Sequence, residues 1–254
     1  MELIDTHAHL DNSRFNKERE KIIRGMKEDN LKYIVNIGAN LESSRMSVEL
    51  AGKHDCIFAV VGVHPHDADT VNKSVLDKLR KHTNNNNVVA VGETGLDFHY
   101  DNSPRDIQEF IFRAHLRLAK NTGLPVVIHS REAWDRTQKV LIEEEVNKIG
   151  GIIHCFNGGL EKAKFAVEND LMLGIGGLIT FGIAELESAV EYTSMEKIVL
   201  ETDSPYITPE PKRGKKNRPK NVYYVAKKIA ELKGLSVEEV AEITTQNACR
   251  VFDI

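Results

Sequence analysis

The sequence predicts a (β/α)8 barrel of the TIM type, with a metal site at the C-terminal face of its strands. Three observations predict it. Eight short apolar runs alternate with helical segments along the 254 residues, the pattern of parallel strands covered on both faces. That length suits eight βα units in one domain spanning residues 1–254. Histidines and acids also recur directly after the runs, where a barrel gathers its catalytic groups. A doubly wound open sheet is the main competitor, but no G-x-G-x-x-G follows the first run.

The first run is Met1-Glu2-Leu3-Ile4-Asp5-Thr6-His7-Ala8-His9. On a strand, side chains alternate faces, so Leu3, Asp5, His7 and His9 share one side. Two imidazoles ending such a strand make half of a metal site. Arg14 to Asp29 follows as a helix with Ile22, Ile23 and Met26 as its apolar stripe. Tyr33–Gly38 is the second run, with a helical stretch around Glu42 to Lys53. Ile57–Val63 delivers the chain to His64-Pro65-His66, and Asp69 to His82 is helical. Val88–Gly92, preceded by a polar loop of asparagines at 84 to 87, ends at Glu93.

Ser103, Pro104 and Asp106 form a helix start: an N-cap hydroxyl, proline at the first position and an acid three residues after the cap. Ile107, Phe110, Ile111, Ala114 and Leu118 continue at helical spacing to Gly123. Leu124–Ile128 is a buried strand ending at His129, then Trp134 to Lys148 is helical. Gly151–Ile153 ends at His154, and Leu160 to Asn169 is helical. Leu171–Ile175 enters the glycine-rich stretch 176 to 182, and Ala184 to Thr193 is helical. Ile198–Leu200 leads to Glu201-Thr202-Asp203. Val222, Val225, Ala226, Ile229 and Leu232 define a helix stopped by Gly234, and Ser236 with Glu239 forms a capping box for a last helix reaching Ala248.

Composition narrows the function. Charged residues make up 28% and hydrophobic ones 41%, which is globular rather than disordered. No apolar run approaches the roughly 20 residues of a membrane span, so no membrane partner is expected. No signal peptide is visible, and three widely spaced cysteines (Cys56, Cys155, Cys249) make no disulfide framework. Both point to the cytoplasm. A formal net charge of −4 argues against a globally basic nucleic-acid sleeve, so a polyanion would need a local patch or metal ions.

His7 and His9 follow run one, His64 run three, Glu93 run four, His129 run five, His154 run six and Asp203 run eight. Any one alone reads as a polar loop start. Together, at strand ends that converge in a barrel, they read as a site. Four histidines exceed what one ion with an open position needs, so the chemistry favours two ions. Glu93 and Asp203 can bridge or neutralise ions roughly 3.5–4 Å apart, in a mechanism where a metal-activated water attacks phosphorus or a carbonyl and Asp203 takes its proton. There is no G-x-S-x-G elbow, and His154-Cys155 is no thiol triad because the two side chains point opposite ways.

The chain resembles the TatD family of metal-dependent deoxyribonucleases, within the amidohydrolase-like barrels. The matching blocks are Ile4–Leu10, Gly62–His66, Val91–Asp97, Val127–Arg131, His154–Gly158, Glu201–Pro205, Arg213–Pro219 and Asn247-Ala248. The resemblance implies metal ligation by His7, His9, Glu93, His129, His154 and Asp203, with Glu93 and Asp203 catalytic. It implies a (β/α)8 barrel and hydrolysis of DNA dependent on magnesium or another divalent ion. Magnesium follows from the resemblance, whereas histidine-rich ligation suits zinc or manganese. A glutamate rather than a lysine after strand four favours the TatD branch over dihydroorotase-like members. Asn157 departs from the serine often found there.

Substrate contacts are expected from His64, at the site wall, and Arg131, two residues past His129. Asp5 reads as support for His7 or a structural bond, and Glu201 as a partner orienting a histidine. His66, Asp97, His99 and His115 read as structural or loop residues, and Trp134 as helix packing. Lys212, Arg213, Lys215, Lys216, Arg218 and Lys220 place six cations in nine residues after run eight. Alone, such a run is a solvated loop. Following Asp203, it reads as a phosphate-neutralising loop in which Arg213 and Arg218 contact DNA. A strand end fits a barrel mouth better than a duplex interior, so exonucleolytic trimming, 3′ to 5′, of single-stranded ends is expected. The alternatives are the same site hydrolysing an amide, ester or aminoacyl-tRNA bond, and a non-catalytic nucleic-acid or partner-binding protein.

Overall fold

The computed structural model describes residues 1–254. Its eight strands form one sheet in sequential order, alternating with helices, which is the (β/α)8 barrel fold. The strands are β1 (Leu3–Ala8), β2 (Leu31–Ile37), β3 (Ile57–Val61), β4 (Val88–Asp97), β5 (Val126–Arg131), β6 (Gly151–Ile153), β7 (Leu171–Ile175) and β8 (Ile198–Leu200). The helices are α1 (Arg19–Arg24), α2 (Leu41–Ala51), α3 (Lys73–His82), α4 (Arg105–Thr122), α5 (Trp134–Glu143), α6 (Leu160–Glu168), α7 (Ala184–Tyr192), α8 (Val222–Lys233) and α9 (Val237–Phe252). No helix is long and apolar enough to cross a membrane.

Contacts divide the chain into two compact units, Met1–Asn36 with Cys155–Ile254, and Ile37–His154. In the first, β1 pairs in parallel with β2 and β7 with β8, and a parallel bridge joins Ala8 to Ser204 just past β8. The capping box at α9 is formed: Ser236 accepts from the Glu239 amide at 3.2 Å, and Glu239 accepts from the Ser236 amide at 2.8 Å. α9 packs on β1 and β8, pinned by the Asn247 amide, which donates to the carbonyls of Met195 (2.6 Å) and Ile198 (2.8 Å). In the second unit β3, β4, β5 and β6 pair in parallel succession. The strand residues Val60, Val61, Ala90, Val91, Val126 and Ile128 are fully buried, as the near-continuous apolar runs require.

Several expected boundaries move. The helix expected over Arg14 to Asp29 is a 3-10 turn, Ser13–Phe15, then the short α1. Asn12 caps the turn by accepting from the Arg14 amide, and the Arg19 guanidinium turns back to the carbonyls of Leu10, Asp11 and Asn12. The stretch from Asp69 divides into a 3-10 turn, Pro65–Thr70, and α3, with Asn72 as the new N-cap. α5 ends at Glu143, because Glu145 takes φ +56° before a 3-10 turn at Val146–Lys148. Ser103 does not cap α4. It is buried, donates to the His66 carbonyl at 2.9 Å and accepts from the Asp69 amide, leaving Pro104 at the N-cap position.

Candidate metal centre

One cluster stands in the first unit. His7 is the penultimate residue of β1 and His9 lies just past its end. The Asp203 amide donates to the His7 carbonyl and the His9 amide to the Ser204 carbonyl, both at 2.8 Å. This lacing fixes the chain after β8 against the end of β1. It brings Asp203 Oδ1 to 3.3 Å from His9 Nε2 and 3.9 Å from His7 Nε2. Both histidines are buried, and the three ligand atoms lie within 4.8 Å of one another.

Asp5 underlies this cluster without joining it. Its carboxylate accepts from the Thr202 amide (2.9 Å), the Thr202 hydroxyl (2.5 Å) and the His7 amide (3.3 Å). Burial pushes its carboxyl well above the usual range, against those hydrogen bonds. Asp5 is therefore the structural tie of the two expected roles, binding backbone rather than imidazole. Glu201 accepts from the Cys155 amide at 2.8 Å, and its carboxylate comes within 4.8 Å of a His7 ring nitrogen.

The second unit holds the other cluster, centred on one oxygen. Glu93 Oε1 lies 2.9 Å from His129 Nδ1, 3.6 Å from His64 Nε2 and 3.7 Å from His154 Nε2. Close approach of β4 to β5 makes this possible. Gly95 has φ +145°, and a Cβ there would collide with the His129 carbonyl, so only glycine fits. His64 is oriented from behind: its Nδ1 accepts from the His66 amide at 3.1 Å, which aims Nε2 at Glu93. Burial, opposed by Glu93, pushes the His64 imidazole down to about 3, so it is neutral, and with Nδ1 accepting, its one N–H is on Nε2, on the Glu93 side.

Asp97 and His66, expected as structural or loop residues, lie directly against this cluster. β4 runs on to Asp97, whose buried Oδ2 accepts from His66 Nε2 at 3.0 Å and His129 Nε2 at 3.1 Å. Burial raises its carboxyl, but the hydrogen bonds from His129, the Tyr100 amide and His66 outweigh that and hold it well below the usual range. For His129, burial lowers the imidazole, and Asp97 with Glu93 raises it on balance. The signal for Asp97 was the period-two series Glu93, Gly95, Asp97, which continues one strand face.

The donors fit divalent ions. His129 lies between two carboxylates, and imidazole nitrogen with carboxylate oxygen is the set that zinc and manganese-like ions take. With Nε2–H given to Asp97, His129 would offer Nδ1, 2.9 Å from Glu93, to an ion.

The expected substrate contacts divide. His64 belongs to the Glu93 cluster. Arg131 is exposed and lies over the Tyr100 ring at 4.7 Å. Arg213 lies over Phe181 at 4.3 Å and 3.8 Å from Glu210. Arg218 grips Glu18 with two nitrogens, at 2.7 and 3.2 Å, and Lys216 pairs with the same carboxylate. Lys220 pairs with Asp29 at 3.2 Å. Asn217, fully buried, donates to the carbonyls of Thr202 (2.8 Å) and Tyr206 (2.7 Å) and so fastens the basic loop.

Residues 4–253 match the family model described as TatD related DNase. The chain is 40% identical to an uncharacterized metal-dependent hydrolase, YabD, of Bacillus subtilis (strain 168), covering 99% of both chains. It is 34% identical to another, YcfH, of Escherichia coli (strain K12), covering 100% of this chain and 97% of that one. Among solved structures, YJJV, a TatD homolog from Escherichia coli K12, superimposes with a TM-score of 0.93 at 27% identity, covering 99% of this chain and 98% of that one.

Proposed function

The chain belongs to the TatD-related DNase family of metal-dependent hydrolases, and we propose that it hydrolyses DNA phosphodiester bonds, trimming single-stranded ends 3′ to 5′. The observation that carries this reading is the pair of histidine–carboxylate clusters at strand ends, His7–His9–Asp203 and His64–Glu93–His129. His7, His9 and Asp203 would hold one ion, and Glu93, His129 and His154 the other. Bound divalent ions supply Lewis acidity and acidify water.

The chain's own residues supply the rest. Asp203 takes the proton of the attacking water, its carboxylate already set at 3.3 Å from His9. Glu93 gathers three imidazoles around one oxygen, so the nitrogen donors are preorganised and no reorganisation is needed as charge develops. Asp97, accepting from His129 Nε2–H, would leave Nδ1 as the nitrogen that ligates.

The test is a time course on 5′- and 3′-labelled single- and double-stranded DNA with magnesium, manganese or zinc. Loss of label from the 3′ end of single strands first, abolished by Asp203→Asn, is the expected result. No DNA cleavage with any ion, beside rapid turnover of esters or aminoacyl bonds, overturns it.

A further inference from the structure

Four of the six cations of the basic loop already face carboxylates. Arg218 and Lys216 share Glu18, Lys220 holds Asp29, and Arg213 lies near Glu210. A phosphate must displace a carboxylate from each of these four, and of the other two Lys212 lies over the Tyr224 ring at 5.5 Å. Two arginines elsewhere make no ion pair and rest on tyrosine instead. The Arg14 guanidinium lies 5.7 Å above the Tyr206 ring, and that of Arg131 lies 4.7 Å above the Tyr100 ring.

Each tyrosine is attached to a metal cluster. The Tyr206 amide donates to the Asp203 carbonyl at 2.8 Å, and its ring meets His9 edge-on at 6.0 Å. The Tyr100 amide donates to Asp97 Oδ1 at 2.9 Å, and its ring meets His66 edge-on at 5.2 Å. Both rings stay in solvent, Tyr206 at 45% and Tyr100 at 54% exposure, where burial would be expected of a packing residue. The Tyr206 hydroxyl also accepts from the Asn12 amide at 3.0 Å, which holds its ring in place.

We propose that Tyr206 with Arg14, and Tyr100 with Arg131, are the nucleotide-recognition elements of this protein, one beside each cluster, for unpaired nucleotides. The inference rests on the DNA-hydrolysing reading above. A base stacks on the exposed tyrosine ring, a contact every base can make, so sequence is not read. The guanidinium, planar and weakly hydrated, turns its free N–H fork to the adjoining phosphate. A base paired within a duplex has no free face to offer, so these elements select single-stranded substrate. Neither Arg14 nor either tyrosine belongs to a charge run, which is why sequence reading passed them over.

The experiment measures a fluorescein-labelled oligothymidylate on the full-length protein, as Kd by anisotropy in EDTA and as KM during cleavage with metal. Tyr206→Ala and Tyr100→Ala are each expected to raise both values by about 5- to 150-fold, the loss of one stacked base. Tyr206→Phe and Tyr100→Phe, keeping the ring, restore them. Arg14→Gln and Arg131→Gln each lower the slope of log affinity against log salt by about 0.7, one phosphate contact on a single strand. Tyr192→Ala serves as the control. It removes a tyrosine as exposed as these (56%) and likewise beneath a cation, Lys164 at 6.0 Å, but on α7, and it leaves Kd unchanged. Thermal melts verify that each variant is folded. If wild type cleaves DNA and both alanine variants stay within twofold of it, the inference falls while the nuclease reading stands. If wild type cleaves no DNA with any divalent ion, both fall.

Discussion

His115 on α4 makes acid stability a sharp test of the fold's polar interior. The residue is fully buried, and both its nitrogens are committed. Nδ1–H donates to the Ile111 carbonyl at 2.8 Å, and Nε2 accepts from the Val63 amide at 3.1 Å. Protonation would set a second N–H against the Val63 N–H, in a site without water-like screening. Burial pushes the imidazole down to about 4, against about 6.5 in an unfolded chain. The folded pKa is the lower one, so the unfolded state binds more protons between these values. The stability is complete above about pH 6.5 and is lost as pH falls toward 4. The difference amounts to about 3 kcal/mol in full and about 2 kcal/mol between pH 7 and 5, a large part of the 5–15 kcal/mol typical of a folded domain. Urea unfolding of metal-free wild type and His115→Asn at both pH values isolates the effect, since other titrating groups cancel in the difference. Asn can still donate to Ile111 but does not titrate. The stability advantage of wild type should shrink by about 2 kcal/mol from pH 7 to 5. An advantage constant to within about 0.5 kcal/mol, smaller than any shift of this size allows, refutes the reasoning.

Three further outcomes follow from the geometry. His7→Ala should remove a ligand of the Asp203 cluster, lowering metal content by elemental analysis and activity by more than about 100-fold, with far-UV dichroism unchanged. Asp97→Asn should weaken metal binding about 10- to 100-fold, read by competitive chelator titration, because an amide cannot accept from His129 and His66 as the shared carboxylate oxygen does. Asn217→Ala strips the partners from the buried Thr202 carbonyl and the part-buried Tyr206 carbonyl. It should cost about 2–4 kcal/mol in urea unfolding, and an unchanged midpoint would mean the basic loop is not fastened there.

The strand pattern and the ligand-bearing strand ends were legible because both follow from local rules. Each run is apolar because a parallel strand is covered on both faces, and each ligand sits in its strand or within three residues past its end. Asp97 escaped because its strand crosses Gly92 and Gly95, residues that read as a strand's end in sequence. Here they let β4 lie against β5, a contact visible only once His129 is seen beside them. Ser103 misled for a related reason. Its hydroxyl satisfies a cap by local rules, yet the chain spends it on the His66 carbonyl and the Asp69 amide, more than thirty residues away.

Electrostatics were the least legible of all. The run from Lys212 to Lys220 reads as free positive charge only while its neighbours in sequence are considered. Glu18, which takes both Lys216 and Arg218, stands 198 and 200 positions away, where β1 and its following turn come round to the segment after β8. The engagement of Lys216 and Arg218, like the lack of acidic partners at Arg14 and Arg131, is a long-range fact. Glu18 Oε2 takes both Arg218 nitrogens and Oε1 takes Lys216, so one carboxylate clasps two cations of the loop. The same carboxylate gives that conclusion a direct test: Glu18→Gln should free Arg218 and Lys216 and steepen the salt dependence of oligonucleotide binding by about 0.7 to 1.4, one or two added phosphate contacts. A slope that does not change means that the two cations were never withheld from the substrate.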